Sequence, residues 1–328
     1  MRVNTSEVKS ISSPTLSTTA AWWRRLQARL TRLLDDARFF PLLLILPVLL
    51  FFLIWNVIPT LWLIGLSFYK YSLISSAAER YVGLRNFTDI MKDVRVWESL
   101  SRTFIWVSVS ITIQTILGGM LGFLFWGSAK MPGRRIALTL LFTPMIITPL
   151  AAGVFFRFIY EPTFGIANYV VRLFGGEANF LGDAKLAFGA VMFVDIWMWT
   201  PFMILITLAA LGSVPKAELE AAEIDRLPWS YRLRYIILPH ARYVLMLGIL
   251  LRTIDSFKTL DLIYILTRGG PGATTELIAV MLRRKAFEAF ELGWSSALAI
   301  ILLLTAIAFT SIYIYILNQN SKRQGVTS

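Results

Sequence analysis

The chain has 328 residues, 56% of them hydrophobic and only 16% charged, and a net charge of +12. That is too apolar for a soluble domain of this length and indicates a polytopic membrane protein. Its basic excess sits in tails and loops between apolar runs, as membrane orientation requires, so it does not imply a nucleic-acid partner. Cysteine is absent and His240 is the single histidine. Disulfides, thiol catalysis, His-cluster metal sites and a Ser/His/Asp triad therefore fall away, and an enzyme is not expected.

Residues 1–38 read as a cytoplasmic tail. The first twenty are rich in Ser and Thr and read as disordered. In Ala21–Arg38, Trp22, Trp23, Leu26, Leu30, Leu33 and Leu34 recur at helical spacing among four arginines. That pattern predicts an amphipathic helix lying in the headgroup region. The apolar segment after it is too long for a signal peptide, and no small-residue cleavage site follows it.

Residues 39–317 read as an all-α membrane domain of six transmembrane helices. The first is Phe40–Phe68, interrupted by Pro47 and Pro59 and so prone to tilt or kink. The second is Thr103–Trp126, with Gly118, Gly119 and Gly122 open to close helix approach. Ile136–Tyr160, Leu186–Leu211, Tyr243–Leu266 and Trp294–Leu317 complete the set, and residues 318–328 form a second tail. Placing both termini in the cytoplasm puts seventeen Lys and Arg inside and twelve outside, which gives an N-in, C-in topology. No internal repeat marks the chain as an inverted-repeat transporter.

Between the fourth and fifth spans lies a charged island, Glu218–Pro239. Ala217–Asp225 reads as a helix that places Ala221 or Ala222 on one face with Asp225. Pro228 suits the first position of a second helix, which carries Arg232 and Arg234 among aromatics and stops at Leu238-Pro239. A non-glycine residue at positive φ is unfavourable. The turn is therefore expected to use extended geometry at Leu227-Pro228, not a left-handed Arg226.

Intramembrane charges are costly, face bundle interiors and often mark transport routes. The fifth span carries Arg252, Asp255, Lys258 and Asp261 at steps of three. At ~100° per residue, Arg252 and Asp261 fall on opposite sides, so one stripe is excluded. Arg252–Asp255 and Lys258–Asp261 are expected to pair, either locking the helix to its neighbours or lining a substrate path. In the fourth span Asp195 and Trp199 share one face. A carboxylate and a ring suit a polyhydroxy ligand, one accepting hydroxyl hydrogen bonds and the other packing on C–H faces; helix packing is the plainer use. Gln114 in the second span reads as helix–helix glue. No GxxxxGK[ST] phosphate loop occurs, so no ATP or other cofactor site is expected in this chain.

The charged island resembles the EAA motif of ABC-importer permeases through Glu220-Ala221-Ala222, Asp225 and Ile237-Leu238-Pro239. Arg226 stands where that family usually has Gly, and Trp229 comes one residue early. Three further segments are similar to sugar-importer permeases of the maltose/glycerol-3-phosphate group. They are Arg157…Glu161-Pro162-Thr163-Phe164-Gly165…Asn168, Leu260-Asp261…Leu266-Thr267-Arg268-Gly269-Gly270-Pro271…Thr274-Thr275-Glu276, and Ala286-Phe287…Gly293-Trp294-Ser295-Ser296-Ala297. In the second of these Leu260 replaces a Phe and Arg268 a Gly; in the third Trp294 replaces a Tyr. Together the resemblance covers Pro41–Leu317.

It implies a type I ABC importer permease in a bacterial inner membrane. Its partners would be a second permease, two ATPase subunits holding ATP and Mg, a periplasmic or lipid-anchored solute-binding protein, a sugar or polyol, and membrane lipids. Glu220, Ala221, Ala222, Asp225 and Arg226 would couple to the ATPase. Asp195, Trp199, Arg252, Asp255, Lys258 and Asp261 would be the substrate-path candidates. Two other readings are an ion-coupled secondary transporter working through the fifth-span charges, and a non-transporting scaffold or receptor that recruits a partner through residues 214–240.

Overall fold

A computed structural model describes residues 39–74, 79–127 and 132–322. The predicted N-terminal amphipathic helix lies outside these residues, as do the last six of the C-terminal tail. The chain divides into two units, residues 1–63 and 64–328. Helix α1 (Phe39–Phe52), in the first, passes through a π-helical turn, Leu53–Val57, into α2 (Ile58–Leu66), whose last three residues belong to the second. Ile58 N–H donates to the carbonyl of Leu53, five residues back. The turn immediately precedes Pro59, whose ring would crowd the carbonyl four residues back in a regular α-helix.

In the second unit a short antiparallel pair, β1 (Tyr69–Lys70) and β2 (Arg80–Tyr81), precedes α3 (Arg85–Lys92). It is the one β element among the described residues. The helices that follow are α4 (Val94–Gly127), α5 (Arg134–Ile146), α6 (Pro149–Ile159), α7 (Ile166–Leu173), α8 (Ala184–Gly212), α9 (Lys216–Ile224), α10 (Trp229–Arg232), α11 (Leu238–Phe257), α12 (Asp261–Leu266), α13 (Ile278–Phe287) and α14 (Leu292–Lys322). Five helical stretches are long and apolar enough to cross a membrane. The α5–α6 pair, bent by 99°, meets the same length and hydropathy test together and brings the number to six when counted as one span.

Two predicted spans are not continuous helices. The third bends at Ile147-Thr148, where Thr148 caps α6 by accepting from the Ala151 amide at 3.3 Å and Pro149 takes its first position. Thr followed by Pro is a helix-start signal inside an apolar run. The fifth span ends at Phe257 and restarts at Asp261 as α12. At its other end, α10 does not stop before the span. A second π turn, Leu233–Ile237, joins it to α11, and Leu238 N–H donates to the Leu233 carbonyl just before Pro239. The same device thus carries both helices past a proline.

Helices α4 and α8 form the central pair. A Cβ on Gly122 would stand 2.6 Å from the Thr207 side chain, and one on Gly118 would collide with Met203. Gly119 faces open space, so two of the three predicted glycines serve the contact. Trp106, Phe156, Val191, Val194, Phe257 and Ile263 belong to one buried cluster that ties α4, α6, α8, α11 and α12 together.

Candidate functional site

A buried polar centre interrupts the apolar bundle where α4, α8 and α11 meet. Arg252 is 1% exposed, and its Nη2 donates to Asp195 Oδ1 at 2.8 Å and Oδ2 at 2.7 Å. Its Nε donates to Gln114 Oε1 at 3.0 Å, while Gln114 Nε2 donates to Asp195 Oδ2 at 2.9 Å. A fourth bond runs from Nη1 to Asp255 Oδ2 at 3.3 Å, and the guanidinium carbon lies 4.9 Å from the centre of the Trp199 ring. Arginine suits this position because its planar fork can satisfy two carboxylates and an amide while stacking on an aromatic face. A buried charge is tolerated only when so fully bonded.

The pairing differs from the expected one. Arg252 takes Asp195 as its main partner and Asp255 as its secondary one, and Lys258 pairs with Asp255 at 3.5 Å. Lys258 and Asp261 do not pair, because the helix ends between them and the i+3 relation is lost. Asp261 instead sits in the first turn of α12, where the helix dipole favours a carboxylate. Gln114, read only as glue, is the middle member of the network; an amide in an apolar span was its one signal.

Beside this centre lies a cleft of about 220 Å³ lined by Asp195, Trp199, Asp255, Lys258 and Asp261, with Pro149 and Thr259. Five of the six substrate-path candidates thus share one cavity, and the sixth, Arg252, stacks on Trp199 and is held by carboxylates that line it. The cleft presents an indole and three carboxylates. Its cations are already paired.

The charged island forms a second site. Leucines and aromatics at the ends of α4 and α8 make its platform: Leu211, Val214 and Ile237 are buried, with Phe123, Trp126, Leu219 and Leu233 packed around them. Helix α9 ends in a Schellman motif: Leu227 N–H donates to Ala222 O at 2.9 Å and Arg226 N–H to Glu223 O at 3.1 Å. That motif needs a left-handed residue after the cap, and Arg226 supplies it at φ +52°. The expectation that the turn would avoid positive φ is therefore overturned; closing two helix carbonyls outweighs the strain. Arg268, also in place of a glycine in the resemblance, is left-handed too, at φ +51°. Arg232 then bonds Glu223 at 3.1 Å and ties α10 to α9.

Exposure divides the predicted coupling residues. Glu220, Ala221, Asp225 and Arg226 are exposed, whereas Ala222 is 3% exposed and turned into the chain. The outward face of α9 carries Ala221 and Asp225, joined by one residue the pattern did not single out, Ile224 (81% exposed), and the exposed Trp229 opens α10 beside it. On the other side of the bundle, the Arg157–Asn168 segment folds as a turn. Glu161 accepts from the Thr163 and Phe164 amides, and buried Asn168 donates to Tyr160 and Glu161 carbonyls.

The profile of one family, described as "Binding-protein-dependent transport system inner membrane component", matches residues 15–323. The chain belongs to this family. As a member it is a transporter permease subunit and not itself an enzyme. It is 31% identical over 276 residues to a trehalose/maltose transport system permease protein of Thermococcus litoralis, covering 83% of this chain and 91% of that one. It is 28% identical to a sulfoquinovosyl glycerol transport system permease protein of Agrobacterium fabrum, over 88% and 94% of the two chains. Against a Mycobacterium tuberculosis trehalose transport system permease protein it is 28% identical, over 78% and 82%. A crystal structure of a bacterial alginate ABC transporter, in complex with a pentasaccharide-bound periplasmic protein, contains a chain of the same fold. The TM-score is 0.77 at 17% identity, covering 90% of this chain and 99% of that one.

Proposed function

We propose that this permease forms half of the translocation path of an ATP-driven, binding-protein-dependent importer for a sugar or polyol. It resides in a bacterial inner membrane with both termini in the cytoplasm. The observation that carries the reading is its likeness, across 91% of that relative's length, to a permease named for trehalose and maltose transport. The cleft supports it chemically. Trp199 offers a ring face for C–H packing, and Asp255 and Asp261 accept hydrogen bonds from hydroxyls. Because Arg252 is held by Asp195, Gln114 and Asp255, the cleft favours an uncharged ligand over a phosphate or sulfonate ester.

A second permease completes the path, and of two ATPase subunits, which hold the ATP and Mg, one docks on α9. Ala221 allows close approach there, while Asp225 and Arg226 meet charges on the ATPase. A solute-binding protein delivers the sugar from outside. ATP-driven closure of the ATPase pair then favours one of two bundle conformations, and the cleft alternates its opening between the two faces. An ion-coupled transporter would need a carboxylate that exchanges its ion, whereas Asp195 accepts through both oxygens from Arg252 and Asp255 is paired with Arg252 and Lys258.

Affinity purification tests this reading. A second six-span permease and a P-loop ATPase should copurify, and ATP hydrolysis should rise with a sugar-loaded binding protein. A chain that purifies alone and moves solute alone in liposomes refutes it.

A further inference from the structure

The β1–β2 ladder contains an electrostatic conflict that nothing in the described chain resolves. Lys70 stands directly opposite Arg80, and like charges at directly opposed positions destabilise a strand pair. Neither has a carboxylate within ion-pair distance among the described residues. The two acids that line the same cavity are already engaged: Asp89 lies 3.8 Å from Arg85, and Glu291 binds Lys285 at 3.0 Å. Lys70, Arg80 and Arg85 face one cavity of about 520 Å³ together with Tyr71, Tyr81 and Trp294.

The cavity is built into the fold. Asn86, 7% exposed, donates to the Ser67 and Tyr69 carbonyls at 2.7 and 3.0 Å, and Val82 N–H donates to Phe68 O at 2.9 Å. Gly293 N–H donates to Tyr71 O at 3.1 Å, and Leu73 N–H to Phe290 O at 3.2 Å. Gly293 has to be glycine for this contact, because a Cβ there would strike the Tyr69 carbonyl. A ladder of two residues on each strand is thus pinned from both sides, with its two cations held together.

Its position indicates what neutralises them. The cavity follows directly on Leu66, where one apolar span ends, and includes Glu291 and Trp294 around Leu292, where another begins. Tyrosine and tryptophan beside lysine and arginine are the side chains of a membrane–water interface. Leu73, Ile74 and Leu84, on the adjoining chain, are exposed apolar residues of the kind that acyl chains cover. We propose that this cavity binds the headgroup phosphate of an anionic membrane lipid, with Lys70 and Arg80 clasping the phosphate and the tyrosines and Trp294 flanking it. The site does not depend on which solute the permease carries.

The test uses the full-length chain in detergent, titrated with phosphatidylglycerol, phosphatidylcholine or glycerol phosphate, and followed by native mass spectrometry and thermal unfolding. Wild type should hold one phosphatidylglycerol in preference to phosphatidylcholine and melt higher when it is bound. Lys70→Gln with Arg80→Gln should weaken that binding by about thirtyfold, at roughly a factor of five for each cation. Arg80→Glu should abolish the binding while raising the lipid-free melting temperature, because it turns the cross-strand repulsion into attraction; that rise also shows the variant is folded. Arg80→Lys should retain binding. The proposal is overturned if the Gln variant binds phosphatidylglycerol as wild type does, or if lipid-free Arg80→Glu melts lower. It is equally overturned if glycerol phosphate binds as tightly as the lipid, which would make this a site for a soluble ester. The same holds if the variants keep the lipid and lose only stimulation by the binding protein, which would make it a protein contact.

Discussion

Removing Asp195 is the sharpest perturbation the buried centre offers. Asp195→Ala deletes both acceptors of the bidentate pair and leaves Arg252, 1% exposed, with Gln114, Trp199 and one longer bond to Asp255. Breaking a buried pair from one side costs about 3–5 kcal/mol, because the surviving charge stays buried. Replacing the whole set is different. In the triple variant Gln114→Leu, Asp195→Leu, Arg252→Met the buried charges and their amide partner are removed together, and such swaps are often neutral or stabilising by about 1–4 kcal/mol. Thermal unfolding in detergent should therefore place Asp195→Ala far below wild type and the triple variant at or above it. Uptake in proteoliposomes with the partner subunits then separates two roles. A stable triple variant that transports makes the network a lock between α4, α8 and α11; a stable one that does not transport makes it part of the path. Wild-type melting of Asp195→Ala would refute the account of the pair altogether.

Arg226→Gly should slow hydrogen exchange at the Leu227 amide. It removes a left-handed cost of about 1–2 kcal/mol, partly offset by about 0.5–1 kcal/mol of extra unfolded-state freedom. Arg226→Val should speed the exchange, and the reverse order would show that position 226 is not strained. Gly122→Leu must push against Thr207 and should cost about 1–3 kcal/mol of stability, whereas Gly119→Ala meets open space and should gain up to about 1 kcal/mol; melting temperatures decide both. Ala221→Trp should leave the melting temperature unchanged and abolish ATPase copurification. Ala222→Trp should destabilise the chain itself, since Ala222 is buried.

How much of this was legible in the sequence depends on the range of the interaction concerned. Spans two, four and six follow from apolar length alone, and their helices contain the expected ranges. The breaks in spans three and five were written locally, at Thr148-Pro149 and around Lys258–Leu260, but hydropathy averaging runs across them. Steps of three in the fifth span could not foretell that Arg252 would turn to Asp195, 57 positions earlier; that choice is made by helix packing. Burial likewise separated Ala222 from Ala221, neighbours that any spacing rule treats alike. Arg226 is the instructive miss. A residue-level penalty at positive φ was set against nothing, while the fold set it against two backbone hydrogen bonds.

The bend of the third span bears on how the chain is made. Helix α5 has 13 residues and α6 has 11, about 20 and 17 Å at 1.5 Å per residue, so neither crosses a hydrocarbon core of roughly 30 Å alone. What holds α6 across the bend is α12, with Gly153 pressed against Ile265, and α12 leaves the ribosome about a hundred residues later. Helix α8, made earlier, braces the segment as well: Tyr160 Oη donates to the Ala190 carbonyl at 3.0 Å and the Phe156 and Trp197 ring centres lie 5.1 Å apart. A protein truncated before Asp261 would therefore keep the Thr148-Pro149 break and the α8 contacts of this span but lose the brace that α12 supplies.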